Sequence, residues 1–271
     1  MPAMVERQLP RMRHRLEGPE VTPDFPLLKR FQAQGATDWL GLLVRFGDDH
    51  QPAGLPGMLV SWVSDRPGGF RDVDTAMIDR LVPRIALACY RITMQQVAEN
   101  LLDAYVGADA GRRILAGQIE RGQATRLSAV LFLGDLRGFT RLADETPGET
   151  VLAELNAYLG DLAEAIEAHG GQVLKFMGDG LLGMFSLKDK DASAVCAAAI
   201  AAAEAALTGN ARLNQRRRAV GAPALELDVA LHLGELMYGN VGSARRLDFT
   251  VIGPAVNEAS RIESICESLG R

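Results

Sequence analysis

Two aspartates, a lysine, a threonine and an asparagine–arginine pair stand in three of four short segments that mark residues 132–261 of this 271-residue chain. The segments are Phe132-Leu-Gly-Asp-Leu-Arg-Gly-Phe-Thr140, Lys175-Phe-Met-Gly-Asp179, His232-Leu-Gly-Glu-Leu-Met-Tyr-Gly-Asn-Val-Gly242 and Thr250-Val-Ile-Gly-Pro-Ala-Val-Asn-Glu-Ala-Ser-Arg261. Asp135 follows a short apolar run and Asp179 sits in a Gly-Asp-Gly turn. Taken one at a time, an aspartate after a strand and an Asp-Gly turn are ordinary punctuation. If neighbouring strands bring the two together, paired carboxylates suit a magnesium ion with a bound triphosphate. Gly138, Phe139 and Thr140 lie just past Asp135, in a turn whose free N–H groups can cradle phosphate oxygens. Asn257 and Arg261 are spaced i, i+4 and project from one helical face, which on its own describes any exposed polar face. His232 falls on the less apolar face of a strand, where a structural role is the better reading than a general base.

The elements that position these residues are legible from periodicity. Ser128 to Leu133 is a buried strand. Thr146-Pro147-Gly148-Glu149 reads as a capping box with proline in the first helical position. It opens a helix whose apolar face runs from Val151 to Ile166 and which stops at Gly170-Gly171. Gln172 to Met177 and Leu181 to Phe185 form a hairpin through Gly178-Asp179-Gly180. Asp191 to Leu207 is an Ala-rich helix, Leu225 to Leu233 a strand with Leu or Val at every odd position, and Asp248 to Ile252 another strand. Gly253-Pro254 then opens a last helix. The expected fold class is α+β, a ferredoxin-like β-α-β-β-α-β core with a mixed sheet.

The first half is patterned more weakly. Phe25 to Gln34 is a short helix, and Trp39 to Phe46 and Gly57 to Ser64 are strands around a Gly/Pro/Asp-rich loop at 47–56. With the Pro67-Gly68-Gly69 turn and an exit helix they loosely resemble the tail of a GAF-type sensor, expected over 1–82. Helical pattern covers Asp72 to Tyr105, with a break expected at Pro83. Beyond it, Leu87, Tyr90, Met94, Val97, Leu101 and Ala104 make a short heptad seam. Two readings stand equal there: a parallel two-chain signalling helix within 83–124, or an amphipathic helix packed on its own domain.

Composition narrows the partners. Hydrophobic residues make up 48 %, enough for a packed core, and 34 acidic against 29 basic residues argue against nucleic acid. Arg216-Arg217-Arg218 is a local exception, read as a solvated face after a helix. Three scattered cysteines form neither a disulfide framework nor a zinc site and fit a reducing compartment. The N-terminus is too charged for a signal peptide, and the apolar run from Ala192 to Ala203 is too short for a bilayer. A cytoplasmic chain without membrane insertion is expected.

Together the four segments resemble the class III adenylate and guanylate cyclase family over residues 125–271. The resemblance implies a homodimeric adenylate cyclase that converts ATP to 3′,5′-cyclic AMP and pyrophosphate with two Mg²⁺ or Mn²⁺ ions per site. Asp135 and Asp179 match the family's metal-binding aspartates, with Leu136 in the same metal set. Lys175 and Thr250 match the pair that reads adenine, where guanylate cyclases of the family typically have Glu and Cys. Gly138, Phe139 and Thr140 fall at the substrate. Asn257 and Arg261 match the pair that orients the ribose and stabilises the transition state. Active sites at the dimer interface would set the aspartates of one chain against the other four residues of its partner. Two departures accompany the match. The aromatic Phe132 stands three residues before Asp135, where the family commonly has it two before. The chain also stops at Leu269-Gly270-Arg271, short of the family's further strands and of a triphosphate-binding lysine, so an incomplete C-terminus is expected. The alternatives are a non-catalytic cyclase-like module that dimerises or binds nucleotide, and a guanylate cyclase.

Overall fold

The computed structural model describes residues 9–18, 25–46 and 57–269, with the side chains of 140, 141 and 267–269 outside the description. The loop expected at 47–56 and the terminal Gly270-Arg271 lie outside the described residues. The chain divides into two compact units, Met1–Ala98 and Glu99–Arg271.

In the first unit, β1 (Arg11–Arg15), β2 (Asp38–Arg45) and β3 (Gly57–Ser64) form an antiparallel sheet in that order. Sequence reading finds β2 and β3 but misses β1, because Arg-Met-Arg-His-Arg has no alternating apolar signal; its pairing with β2 defines it. Helix α1 (Pro26–Ala33) contributes Leu28 to a cluster with Leu16 and Trp39, and α2 (Asp72–Val106) packs Ile78 and Val82 on Leu40. The break expected at Pro83 does not occur: α2 is one helix with proline inside. Val82 and Ala86 are buried on either side of the exposed Pro83, and that packing offsets the hydrogen bond the ring removes.

The second unit holds α3 (Ala108–Leu115), β4 (Ala124–Arg137), α4 (Phe139–Glu145), α5 (Gly148–Ala168), β5 (Gln172–Met177), β6 (Gly180–Ser186), α6 (Ala192–Ala219), β7 (Glu226–Gly242), β8 (Leu247–Ile252) and α7 (Pro254–Leu269). The sheet order is β5-β6-β4-β7-β8. Its first four strands have the ferredoxin-like order, with β8 added on the outside. Every ladder is antiparallel, so the expected mixed sheet is corrected. Each crossover helix returns the chain to a strand one place removed from its predecessor, which leaves no parallel neighbours.

Alternation along β4 divides the core. Val130, Phe132 and Leu136 join the cluster under α5 and α6, while Ala129, Leu131 and Leu133 join the cluster that contains Ala110 of α3 and Ala255 and Ala259 of α7. The sheet is strongly curled. Its two edge strands meet side chain to side chain, with Lys175 Nζ of β5 3.0 Å from Asp248 Oδ2 of β8.

Two local expectations change. The capping box at 146–149 is absent: Pro147 is the N-cap of α5 and no side chain caps it. Thr146 already ends α4, and the Pro147 carbonyl accepts from Thr150 and Val151 N–H instead. Helix α6 starts as expected, with Asp191 Oδ2 accepting from Ala194 N–H, but runs to Ala219 and takes in the arginine run. Arg217 is not solvated. It is 5 % exposed, donates Nε to the Pro223 carbonyl at 2.7 Å and pairs with Glu154. By length and composition α6 could cross a membrane, yet Val195, Ala199, Ala202, Ala206 and Leu213 line its buried face in the core.

Candidate active site

Asp135 lies near the end of β4, opposite Asp228 of β7 and one residue past the Gly134–Leu181 pair with β6. A methyl group at Gly180 would stand 2.9 Å from Asp135 Oδ1, so the glycine lets this carboxylate lie against the hairpin that carries Asp179. Burial and then the charge of Asp179 push the Asp135 carboxyl up to about 6; Glu263 and Asp228 add to the rise, and a hydrogen bond from Leu136 N–H opposes it. The pair is therefore a region of uncompensated negative charge, which favours a divalent cation. Asp228 is balanced separately by Arg137, which reaches it through Nε at 3.1 Å and Nη2 at 2.5 Å. Among the described residues no group of three or more His, Cys, Asp or Glu side chains is placed to hold a metal. Further oxygens have to come from backbone or substrate. Leu136, whose side chain is in the core, has only its carbonyl to give.

Gly138 takes a left-handed conformation, φ 77°, and starts α4, so the chain turns sharply beside Asp135. Phe139 packs against the core, which leaves its backbone for a ligand. The side chain of Thr140 lies outside the description.

Lys175 reaches across to β8, the strand that carries Thr250, although the two residues stand on opposite edges of the sheet. A register shift between Val173 and Lys175 bends β5, and Asp248 holds the Lys175 ammonium. Asp248 and Thr250, two apart on β8, share one face of that strand. Thr250 is 7 % exposed, and its Oγ1 is buried with no hydrogen-bond partner. That leaves a buried acceptor on the strand that holds the Lys175 ammonium.

Asn257 and Arg261 are not brought to the aspartates. Ala255 and Ala259 bury the inner face of α7, and Asn257 and Arg261 are exposed on the other side. His232 Nε2 lies 2.9 Å from Glu258 Oε2 of α7. Sequence reasoning missed Asp248, Asp228 and Glu263. The i−2 spacing from Thr250 points to Asp248, whereas only the β4–β7 register and the packing of α7 reveal the other two.

A sequence model of the adenylate and guanylate cyclase catalytic domain matches residues 123–269, more than half of the chain, and the chain belongs to this family. An adenylate cyclase of Anabaena cylindrica is 35 % identical over 155 residues, 56 % of this chain and 30 % of that protein. Adenylate cyclase 1 of Rhizobium meliloti is 29 % identical over 170 residues, 61 % of this chain and 25 % of that protein. The chain thus spans less than a third of either curated relative. Among solved structures, the adenylyl cyclase CyaB of P. aeruginosa superposes with a TM-score of 0.50 at 33 % identity, over 52 % of this chain and 74 % of that one. A bacterial light-regulated adenylyl cyclase gives 0.57 at 26 % identity, over 70 % and 54 %.

Proposed function

We propose that this chain is an adenylate cyclase that converts ATP to 3′,5′-cyclic AMP and pyrophosphate. The observation that carries the reading is the ion pair of Lys175 with Asp248, two residues from Thr250 on β8, together with a Thr250 hydroxyl that is buried and has no partner. Adenine offers an acceptor at N1 and a donor at its exocyclic amine; the lysine ammonium donates to the first and Thr250 Oγ1 accepts from the second. Guanine carries a proton at N1 and a carbonyl at C6, so both contacts fail and buried polar groups stay unpaired. Asp248 fixes the ammonium before the base arrives.

Asp135 and Asp179 hold the cation site, with the Leu136 carbonyl beside them. Two divalent cations, Mg²⁺ or Mn²⁺, supply acidification of the ribose 3′-hydroxyl and neutralisation of the triphosphate. The backbone N–H groups after Gly138 face phosphate oxygens. Arg261 offsets charge that develops on the α-phosphate, a contribution of ~10²–10³ in rate for such donors, and Asn257 orients the ribose. These two residues face away from their own core, so they serve the aspartates of a second copy, and the working unit is a homodimer. Exposure of Leu87, Met94 and Leu101 on α2 favours the parallel two-chain reading of that helix over packing on its own domain. Residues upstream of the cyclase region then act as its regulatory segment. ATP as substrate and three free cysteines fit the cytoplasm.

The test is cyclic nucleotide formation with Mn²⁺ or Mg²⁺ and either ATP or GTP. Strong preference for ATP is expected, with Lys175→Glu crippling it. Comparable kcat/KM for the two nucleotides would overturn the assignment.

A further inference from the structure

Helix α7 carries Asn257 and Arg261 on its exposed side, so whatever fixes its rotation fixes where they point. Its buried side is smooth. Ala255 and Ala259 face the sheet, and a methyl group at Gly234 of β7 would stand 2.6 Å from Ala255 Cβ. Methyls against a glycine let helix and strand approach closely but supply no ridge to lock into a groove. Val256 packs against the same cluster on one flank of the helix.

On the other flank a polar contact takes over. Alternation along β7 puts His232 on the face of Ala230, Leu236 and Tyr238, the face that α7 covers. Its Nε2 stands 2.9 Å from Glu258 Oε2 of α7, with the two side chains 21 % and 47 % exposed. A carboxylate only accepts, so Nε2 carries the hydrogen and donates it. At about 100° per residue, Glu258 lies about 60° round α7 from Ala255, Arg261 about 60° further and Asn257 about 40° beyond that. The contact therefore holds the helix on the flank where its buried side turns into its Asn–Arg side. A rotation of about 10° moves the helix surface, ~5–6 Å from the axis, by roughly 1 Å. A misplacement of about 1 Å can cost ~10²-fold in rate. A half-exposed pair contributes little to stability, so its loss should fall on rate rather than on the fold.

We propose that His232 is a positioning residue: through Glu258 it sets the rotation of α7 and so aims Asn257 and Arg261 at the substrate. This rests on the reading of those two residues as the pair that faces ribose and α-phosphate.

The test is cyclic AMP formation by the full chain with ATP and Mn²⁺, for His232→Leu, Glu258→Ala, the two combined, Glu258→Gln and Arg261→Ala, with a melting temperature for each. Expected for His232→Leu and for Glu258→Ala is a kcat lower by about tenfold or more. The KM for ATP should stay within about twofold, because the lost aim matters in the transition state. The melting temperature should stay within about 4 °C of the unmodified value. The double variant should be no slower than the slower single one, since both break the same contact. Glu258→Gln, which keeps an acceptor oxygen at the same reach, should recover most of what Glu258→Ala loses. Unchanged kcat in His232→Leu, with activity lost in Arg261→Ala, overturns the role of His232 and leaves the α7 pair intact. Losses that multiply in the double variant, or a lowered melting temperature with KM raised as far as kcat falls, identify separate structural roles and also overturn the proposal. Full activity in Arg261→Ala, or no cyclic AMP from the unmodified chain, overturns the underlying reading and the proposal together.

Discussion

Burial first, and then the charges of Asp179, Glu263 and Asp228, outweigh the Leu136 N–H at Asp135, so its carboxyl is pushed up to about 6. An unfolded aspartate titrates near pH ~3.9. Between these values the folded chain binds the extra proton, so this group lowers stability as pH rises from about 4 to about 6, and the loss persists above that. Without cation, the melting temperature is expected to fall over this window, and Asp135→Asn should flatten the fall and raise the value at pH ~7. Thermal melts from pH ~4 to ~8 decide it: an equal slope in the variant would place the charge elsewhere. A bound cation competes with the proton, so Mn²⁺ affinity should weaken below the same pH.

At the scale of elements, the arginine run shows why a local motif misleads. Three consecutive arginines read as a solvated surface, but α6 is longer than its apolar run, and 3.6 residues per turn aim three neighbours in three directions. Arg217 alone turns inward to Glu154 and the Pro223 carbonyl, while Arg216 and Arg218 stay exposed. Removing one partner of a buried pair strands the other, at a cost of ~3–5 kcal/mol. Arg217→Ala should therefore lower the melting temperature of the cyclase unit by about 6 °C or more, since ~1 kcal/mol moves a domain of this size by ~2–4 °C. Arg216→Ala should move it by less than ~2 °C. Equal effects of the two in parallel melts would contradict the buried pair.

For the whole molecule, the proposed homodimer makes the active site a property of two chains, since Asn257 and Arg261 are exposed on the outer face of α7. An Asp135→Asn homodimer lacks a cation ligand in both sites, and an Arg261→Ala homodimer lacks the arginine in both. In a mixed dimer one site collects both lesions and the other is intact. Random exchange makes half the dimers mixed, so about a quarter of the unmodified activity should return. Cyclic AMP assays on co-expressed variants, with exchange confirmed, measure it; a mixture as inactive as its parts would mean that each chain builds its own site.

The sequence by itself determined most elements of the second unit and the residue types of the site. Apolar period and turn residues mark β4 and the run from α5 to α7, though not α4, which reads as a turn in sequence, and the four segments bear the family's residues in order. Local signals failed where a longer-range contact outweighed them: Pro83 inside a packed helix, Thr146 already committed to the end of α4, and β1 defined by its pairing. Tertiary structure alone decided what surrounds the site residues. Curling of the sheet joins Lys175 to Asp248 across its two edges, and strand register sets Asp135 opposite Asp228. Those neighbours are 73 and 93 residues apart in sequence. Periodicity reports which face of an element is buried, whereas the identity of what covers it depends on how strands pair and helices cross.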